Sequence, residues 1–398
     1  MCFKRHDRKG VFFLPVPSLS VIMADRNPGH YADKEISMST NVVEQIKKTA
    51  DGVYQKIIQG NKPTMKLPIR ALNNVRYSPE EGYLQMQNKN KVRTLTVNTV
   101  KSFAQTLRMM ALSKEMVEND KHATKREAYY ISKNWEEAKF LEQPESDAVM
   151  DDIEAMLEVT REHMRFRPEE HGGAVAGRLI VVDRDRKTKE KIEIDCSRLG
   201  SGAYTVPSSV EHLGFRTKAK FVLAIETGGM FDRLVEEGFS DDFNCIMISM
   251  GGVPSRACRR FIRRLADEHK IPVYAFTDGD PYGYMNIYRT LKVGSGNAAH
   301  LNQFFCVPQA RYLGVTPQDI IDYKLTTHEL KEQDVKRALD AIKNDPFVQH
   351  YKSWQKALEQ MLKMKQRVEQ QAFAKHSLEF VAKTYLPNKL KNPEKFLP

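Results

Sequence analysis

Three short apolar runs in the second half of the chain predict buried β-strands, and helix-like segments separate them. Runs without polar alternation are typical of parallel strands that are covered on both faces of a sheet. Strands that alternate with helices indicate βαβ units with right-handed crossovers, so the pattern predicts the α/β class. The strands are predicted at 220–225, 245–249 and 271–276, and the helices between them at 231–237 and 256–269.

The first half of the chain combines helical periodicity with short strand-like stretches. A helix is predicted from Ser39 to about Gln59, after a polar and mobile stretch at 24–38. Further on, three helices joined by polar breaks precede a pair of strands. That order is compatible with a helix-turn-helix carrying a wing, although the pattern alone slightly favours a plain three-helix unit. The strands are predicted at 67–77, 82–86, 92–97, 178–183 and 191–195, and the helices at 98–117, 124–135 and 146–164, the last capped by Ser146 after Pro144 interrupts.

The C-terminal part of the chain is predicted to be mainly helical. Amphipathic spacing indicates helices at 284–292, 316–324 and 328–344, and one long helix from Phe347 to about Ala374. Together with the helical first half, this makes the expected fold α/β in its sheet and α+β overall.

The net charge of +11 favours a polyanionic partner, with nucleic acid considered first and an anionic membrane second. Many basic proteins bind neither, so charge alone leaves the partner open. The five cysteines are scattered and show no C-x-x-C spacing, which argues against a disulfide framework and a zinc site. A reducing cytosol fits this cysteine usage best, and no apolar run is long enough to span a bilayer.

The N-terminus superficially resembles a signal peptide, because basic residues precede an apolar stretch at 11–17. Two prolines, Pro15 and Pro17, interrupt that stretch, and nothing downstream suggests export. We therefore expect residues 1–22 to be a disordered arm, or sequence upstream of a true start at Met23.

Acidic residues follow two of the predicted parallel strands. Asp278 and Asp280 lie in the sequence Asp-Gly-Asp-Pro-Tyr-Gly after the third strand, and Glu226 follows the first strand. Ligands bind at the carboxyl ends of strands in open α/β sheets, and Mg²⁺ prefers carboxylate oxygens. Taken alone, the Asp-Gly-Asp stretch is equally typical of an ordinary turn. If the two strands are neighbours, the three carboxylates converge and predict a Mg²⁺ site.

A second constellation is Lys125 to Tyr130, in a predicted helix. Arg126 and Tyr130 are four residues apart and therefore lie on one helix face, whereas Tyr129 points away and is better placed for packing. A tyrosine beside an arginine can attack phosphorus, because the guanidinium neutralises the phosphate. These residues alone are more typical of a core or interface tyrosine pair.

A third constellation is the arginine-rich helix at 256–269, which follows a glycine turn at 251–252. Such a turn at a helix N-terminus can receive phosphate. Because the arginines spread over more than one face, some could contact DNA and others could be solvated or paired with acids. Arg256, Arg259 and Arg260 are the candidate DNA-binding residues.

The motifs, taken together and in this order, resemble the family formed by the A subunits of DNA topoisomerase VI, to which the meiotic double-strand-break protein is related. The matching pieces cover roughly residues 70 to 370, and their closeness favours the topoisomerase subunit over the meiotic protein. They are Arg126-Glu127-Ala128-Tyr129-Tyr130, Glu226 at a strand end, Gly252-Val253-Pro254 before the arginine-rich helix, and Asp278-Gly279-Asp280-Pro281-Tyr282-Gly283.

The resemblance implies an N-terminal arm and helix at 1–68, a winged-helix domain at 69–165, and a toprim domain with C-terminal helices at 166–398. It implies that Tyr130 is the nucleophile, assisted by Arg126, and that Glu226, Asp278 and Asp280 bind Mg²⁺. The protein would break double-stranded DNA transiently through 5′-phosphotyrosyl links and relax supercoils.

The resemblance also implies partners and a location. One partner is a second copy of the chain, whose toprim acids complete the active site around each tyrosine. The other is an ATP-binding B subunit, which makes the assembly an A2B2 heterotetramer. The chain itself has no Gly-rich Lys-Ser/Thr nucleotide loop, so ATP is expected on the partner. No membrane association is expected, and the location implied is the cytoplasm, at the nucleoid.

One departure from the family pattern concerns the residue after the toprim glutamate. It is often Lys in the broader family, and here it is Thr227. This removes a phosphate-facing cation that Arg126 or the arginine-rich helix would have to replace.

Two other hypotheses are compatible with the residues. A Mg²⁺-dependent toprim nuclease or primase-like protein would cleave DNA without a covalent adduct. A non-catalytic DNA-binding scaffold would bind DNA with steep salt dependence and would tolerate loss of Asp278 or Asp280.

Overall fold

The computed structural model describes residues 29–168, 171–185 and 187–398, with the backbone alone at 29–40. The expectations for residues 1–22 lie outside this part of the chain. The first helix, α1, spans Gly29–Ile58 and so begins well before the predicted Ser39. The predicted start of this helix at Ser39 is therefore wrong, since no proline interrupts the helix at 29–38.

The N-terminal half contains three further helices and six short strands. Tyr77 and Leu84, on two of these strands, pack with residues of the second half, whereas the helices and several of the other strands enclose a separate apolar core. Phe103, Met109, Met150 and Phe166 are among its fully buried members. The strands pair as β1 with β4, β2 with β3, and β5 with β6. The helices are α2 Val100–Glu118, α3 Lys125–Ile131 and α4 Gln143–Leu157, and the strands are β1 Thr64–Pro68, β2 Val75–Ser78, β3 Tyr83–Met86, β4 Asn90–Thr94, β5 Ala123–Thr124 and β6 Phe166–Arg167.

Helix α4 differs from its prediction at both ends. Pro144 starts the helix instead of interrupting it, because the first turn needs no backbone N–H from that residue. Ser146 is buried inside the helix and is not its cap. The helix ends at Leu157, since Glu158 takes a left-handed conformation with φ of 52°.

A mostly β segment connects the two halves. The predicted strand pair is present as the antiparallel β8 and β9, and a third strand, β11, pairs with the other edge of β8. The other two strands of this segment belong to the large sheet and not to this three-stranded one. The segment contains β7 Ala174–Gly177, β8 Leu179–Arg184, β9 Lys191–Asp195, β10 Tyr204–Thr205 and β11 Gly214–Thr217.

The large sheet has six strands in the order β10-β7-β13-β12-β14-β15. The four strands β13, β12, β14 and β15 are parallel to one another. At the other end of the strand order, β7 pairs antiparallel with β13, and β10 pairs antiparallel with β7. The predicted α/β class with a mainly parallel sheet is confirmed. These strands are β12 Val222–Ile225, β13 Ile246–Ser249, β14 Val273–Phe276 and β15 Arg311–Gly314, and the connecting helices are α5 Gly228–Glu236, α6 Phe239–Phe243 and α7 Arg256–His269.

Each face of this sheet is covered by a separate apolar cluster. Val222 and Ala224 belong to one cluster, whereas Leu223 and Ile225 belong to the other. This explains why the strands read as continuous apolar runs, because successive side chains point to opposite but equally buried faces.

The C-terminal part does not form the single long helix predicted for 347–374. The helix breaks at Tyr351 and ends at Lys365, which takes a left-handed φ of 54°. The physical reason is packing: Trp354 belongs to the cluster on one face of the sheet, and Val368 belongs to the cluster on the other. The elements are α8 Arg289–Lys292 after a π-helical turn at Gly283–Tyr288, α9 Asn302–Phe305, α10 Pro317–Asp322, β16 His328–Glu329, α11 Glu332–Asn344, α12 Pro346–His350, α13 Lys352–Met364, β17 Gln366–Arg367 and α14 Leu386–Leu390.

Candidate active site

Glu226 and Asp278 lie side by side at the carboxyl edge of the large sheet. Strands β12 and β14 are direct neighbours, with Ile225 opposite Phe276. The backbone N–H of Glu226 donates to the carbonyl of Phe276 at 3.0 Å. The backbone N–H of Asp278 donates to Oε2 of Glu226 at 2.9 Å. The two acids predicted from separate strands are thus brought together by the strand order.

Asp280 lies farther along the same turn, where the chain enters the following helical segment. Its Oδ1 accepts a hydrogen bond from the backbone N–H of Gly283 at 2.6 Å. Its Oδ2 is 3.9 Å from Nη1 of Arg367, a residue from the C-terminal part of the chain. Asp280 therefore has a cation nearby, and the charge of the same Arg367 also acts to lower the pKa of Asp278.

The charged forms of these acids are disfavoured in the metal-free chain. Burial raises the pKa of Glu226 to about 8, and the negative charge of Asp278 adds to the effect. Burial also raises the pKa of Asp278 to about 6, against the opposing hydrogen bond from the backbone of Gln370. The pKa of Asp280 is raised mainly by burial. Carboxylates held in this way favour a compensating cation.

The donor set fits Mg²⁺, although the protein does not enclose it. Within the described residues, no group of three or more His, Cys, Asp or Glu side chains stands ready to hold a metal ion. Glu226 and Asp278 each use one oxygen to accept a backbone hydrogen bond. Their second oxygens accept no hydrogen bond from the described part of the chain. Mg²⁺ is usually bound by one or two carboxylates and completed by water and phosphate, which this pair can satisfy.

Tyr130 is exposed on the short helix α3. The helix begins with a capping box in which the Thr124 hydroxyl and the Glu127 carboxylate exchange hydrogen bonds with each other's backbone. The Tyr130 side chain is 58% exposed. Arg126 is also exposed and makes no hydrogen bond or ion pair with any described residue, so its guanidinium is available to a ligand.

Tyr129, the neighbouring tyrosine, has a structural role. Its hydroxyl donates to the carbonyl of Leu141 at 2.9 Å, and the ammonium of Lys133 lies 4.1 Å from its ring centroid. Its ring packs beside that of Tyr130 at 5.4 Å. The two tyrosines are thus distinguished as predicted, one fixed by packing and one facing solvent.

The arginines of α7 have a different role from the DNA contact predicted for them. Arg256 pairs with Glu154 and Glu162, and Arg260 pairs with Glu211. The third predicted residue, Arg259, lies with its guanidinium over the ring of Phe305, and burial lowers its pKa. Arg256 thereby joins α7 to the N-terminal half, whereas Arg260 and Arg259 contact partners outside that half. We do not propose these residues as DNA ligands.

Sequence reasoning missed the residues that approach the acids from the C-terminal part of the chain. Gln370 donates its backbone N–H to Oδ1 of Asp278 at 2.8 Å, and Arg367 faces Asp280. A helical prediction for this segment placed both residues on a surface helix. The available signal was weak: Val368 keeps the helical spacing of Met361 and Met364, and only Phe373 departs from it.

Comparison with protein families gives three consecutive matches along the chain. Residues 101–166 match a family described as type IIB DNA topoisomerase. Residues 169–219 match an all-β domain of the DNA topoisomerase VI alpha subunit. Residues 221–390 match the toprim domain shared by the topoisomerase 6 A subunit and Spo11. All three descriptions point to one class of protein, the type IIB DNA topoisomerases.

Three relatives that align along most of the chain carry the same name, the A subunit of type 2 DNA topoisomerase 6. The protein of Methanocaldococcus jannaschii is 52% identical over 89% of this chain and 96% of its own length. That of Archaeoglobus fulgidus is 39% identical over 85% and 93%, and that of Haloarcula marismortui 37% over 87% and 94%. The chain therefore belongs to the family of topoisomerase 6 A subunits.

No helix in the described part of the chain has the length and apolar character needed to cross a membrane.

Proposed function

We propose that this chain is the DNA-cleaving subunit of an ATP-dependent type IIB topoisomerase, an isomerase that relaxes supercoils. The observation that carries the proposal is the combination of an exposed tyrosine beside a free arginine with a separate pair of buried, uncompensated carboxylates. Phosphoryl transfer requires both a nucleophile and charge stabilisation, which these two features can supply.

In the cleavage step, the phenolate oxygen of Tyr130 attacks a backbone phosphorus of DNA. An O–P bond forms to the tyrosine, the bond to the 3′ oxygen breaks, and that oxygen leaves with a proton. The guanidinium of Arg126, one helical turn away, neutralises the phosphate with its fork of donors. Because the energy is kept in the 5′-phosphotyrosyl link, the 3′ hydroxyl can reverse the reaction and religate the strand.

The carboxylates of Glu226 and Asp278, with Asp280 beside them, would hold Mg²⁺. When bound, this ion stabilises negative charge on the phosphate and on the leaving 3′ oxygen. The protein's own contribution is to keep two hard oxygen donors fixed at the sheet edge and partly shielded from water.

The active site is proposed to be shared between two copies of the chain. No hydrogen bond or ion pair joins α3 to the turns of Glu226 and Asp278 within the described residues. A homodimer in which the acids of one copy serve the tyrosine of the other would bring the parts together, and would cut both strands. We propose that residues 69–165 form a winged-helix domain carrying Tyr130, after an arm and helix at 1–68, and that 166–398 form the toprim domain.

A B subunit that binds and hydrolyses ATP is proposed to complete the enzyme as an A2B2 heterotetramer. The substrate is double-stranded DNA, in agreement with the net charge of +11. The proposed place of action is the cytoplasm, at the nucleoid.

The test is to compare Tyr130→Phe with Tyr129→Phe, using DNA cleavage followed by denaturing electrophoresis. We expect Tyr130→Phe to abolish the covalent protein–DNA adduct, because no other hydroxyl replaces the nucleophile. Tyr129→Phe loses one hydrogen bond and should keep the adduct. An adduct formed by Tyr130→Phe would contradict the assignment, and cleavage by the wild type without any adduct would indicate a nuclease.

A further inference from the structure

A segment near the C-terminus crosses the sheet edge directly above the acidic turn. We call residues 366–370 the clasp. Its Val368 exchanges two backbone hydrogen bonds with Gly279, at 2.8 and 3.2 Å. This contact explains the glycine between the two aspartates, since a Cβ on Gly279 would lie 2.6 Å from a methyl of Val368. The Asp-Gly-Asp turn is therefore shaped to receive the clasp.

Gln370, at the end of the clasp, contacts both acid-bearing strand ends. Its backbone N–H donates to Oδ1 of Asp278, and its side-chain Nε2 donates to the carbonyl of Phe276 at 3.0 Å. Its Oε1 accepts a hydrogen bond from the hydroxyl of Thr227, the residue after Glu226, at 3.1 Å. The side chain is fully buried, with 0% exposure.

This arrangement opposes the repulsion between two neighbouring acids. Glu226 and Asp278 are carboxyl-bearing residues at adjacent strand ends, and Gln370 bonds to the backbone before Asp278, to Asp278 itself and to the residue after Glu226. The Gln370 amide links the strand of Asp278 to the residue after Glu226 without adding charge. A lysine or arginine at this position would neutralise the acids and compete with a cation.

Thr227 acquires a role from the same contacts. Its hydroxyl accepts the backbone N–H of Met230 and so caps α5, while donating to Gln370. The hydroxyl thus couples the start of α5, the end of β12 and the clasp. The hydroxyl of Thr227 is therefore held by a neutral partner, the side-chain amide of Gln370.

We propose that Gln370 is a positioning residue that holds Glu226 and Asp278 at the separation required to bind Mg²⁺ together. The proposal rests on the proposed function for the identity of the metal. It extends that function by adding a residue that touches neither metal nor DNA, from a segment far along the chain. Residues behind metal ligands typically change metal affinity by about 10–100-fold when replaced.

The experiment measures Mg²⁺ binding by calorimetry to the full chain without DNA, so it does not depend on cleavage. We expect Gln370→Met, which keeps the volume and removes both side-chain hydrogen bonds, to weaken Mg²⁺ binding about tenfold or more. Gln318→Met, at an exposed position on α10, is the matched control and should bind as the wild type does. Unfolding midpoints in EDTA report any loss of stability separately.

Two variants of Thr227 examine the same link from its other end. Thr227→Val removes the hydroxyl and should weaken Mg²⁺ binding in the same direction as Gln370→Met. Thr227→Ser keeps the hydroxyl and should bind Mg²⁺ within about threefold of wild type. If the hydroxyl has a purely structural role, Thr227→Val should bind Mg²⁺ with the wild-type affinity.

The outcomes separate the two levels of the proposal. Mg²⁺ affinity of Gln370→Met within twofold of wild type would overturn the positioning role and leave the proposed function intact. Absence of Mg²⁺ binding in the wild type, or binding unchanged in Glu226→Gln, would overturn the metal site itself and with it the positioning role.

Discussion

Two groups of buried acids in this chain stand in opposite electrostatic environments. At the sheet edge, burial and the neighbouring Asp278 raise the pKa of Glu226 to about 8. On α4, burial would also raise the pKa of Glu154, but the charges and hydrogen bonds of Arg256 and Arg161 outweigh it and hold the pKa at about 2. Both glutamates are buried, so burial alone does not decide their state.

The two pKa values differ because the two glutamates have different hydrogen-bond and ion-pair partners. Glu154 is fully buried and receives hydrogen bonds from Arg256 at 2.7 Å and from the side chain of Arg161 at 3.2 Å. Glu162 shares Arg256 at 2.8 Å. Among the described residues, the Glu226 carboxylate receives a hydrogen bond from the backbone N–H of Asp278 alone. The charge of Glu154 is compensated by arginines of the chain, whereas the charged form of Glu226 is disfavoured in the metal-free chain and would be favoured by a bound cation.

The compensated group also connects the two functional parts of the molecule. Glu154 lies on α4, which packs against the tyrosine-bearing α3, and Arg256 begins α7. The loop before α7 returns to the acids, since the N–H of Gly252 donates to the carbonyl of Glu226 at 2.9 Å. The network therefore fixes one chain's tyrosine domain relative to its own metal site.

Removing the charge of Glu154 should produce the largest change in stability. Glu154→Gln leaves Arg256 and Arg161 without their buried shared partner, so we expect the free energy of unfolding to fall by about 3 kcal/mol. Chemical denaturation followed by circular dichroism measures this. Glu158→Gln, at an exposed site just beyond the same helix, should stay within about 0.5 kcal/mol of wild type.

A loss below about 1 kcal/mol in Glu154→Gln would show that Glu162 and Asp151 replace the missing charge. The electrostatic difference between the two groups of acids would then be much smaller than the geometry indicates.

Lowering the pH should reduce the free energy of unfolding, because the buried glutamates that pair with arginines become protonated. The pKa of Glu154 and that of Glu211 are both held near 2, because nearby arginines outweigh burial. A depressed carboxyl pKa contributes stability above the unfolded value of about 4.5 and loses it as pH falls towards 2. We expect each of the two groups to lose about 2 kcal/mol of stability between pH 5 and pH 3, measured by urea denaturation.

The variant Glu154→Gln supplies the control for this acid effect. It lacks one of the two titrating groups, so its stability should fall less steeply over the same interval than that of the wild type. Equal slopes would mean that other carboxyls cause the acid sensitivity.

The sequence predicted the uncompensated acids better than the compensated ones, for a physical reason. Buried parallel strands produce apolar runs, and a strand end with Asp or Glu is visible directly after the run, as at Glu226 and Asp278. Strand adjacency then placed the two together. The pairing of Arg256 with Glu154 joins residues far apart in sequence and leaves no local pattern. The sequence therefore could not show which arginines of α7 contact DNA and which pair with acids.

The clasp escaped prediction for a related reason. A two-residue strand such as β17 has no periodicity to detect, and helical spacing in Lys352–Met364 was extended past its true end. The left-handed Lys365 stops the helix although it is not glycine. The contact of Val368 with Gly279 exists only after the sheet has formed.

The smallest expected effect is a gain in stability, and it tests the contrast between Glu226 and Glu154 most directly. In EDTA at pH 8, Glu226→Gln should increase the free energy of unfolding by about 1–2 kcal/mol, because it removes a repelling charge and keeps an oxygen that accepts the Asp278 N–H. Glu359→Gln, exposed on α13, should change nothing. Mg²⁺ should then stabilise the wild type and leave Glu226→Gln unaffected. Destabilisation of Glu226→Gln in EDTA would mean that its charge is compensated inside the chain, and the two groups of acids would no longer differ in kind.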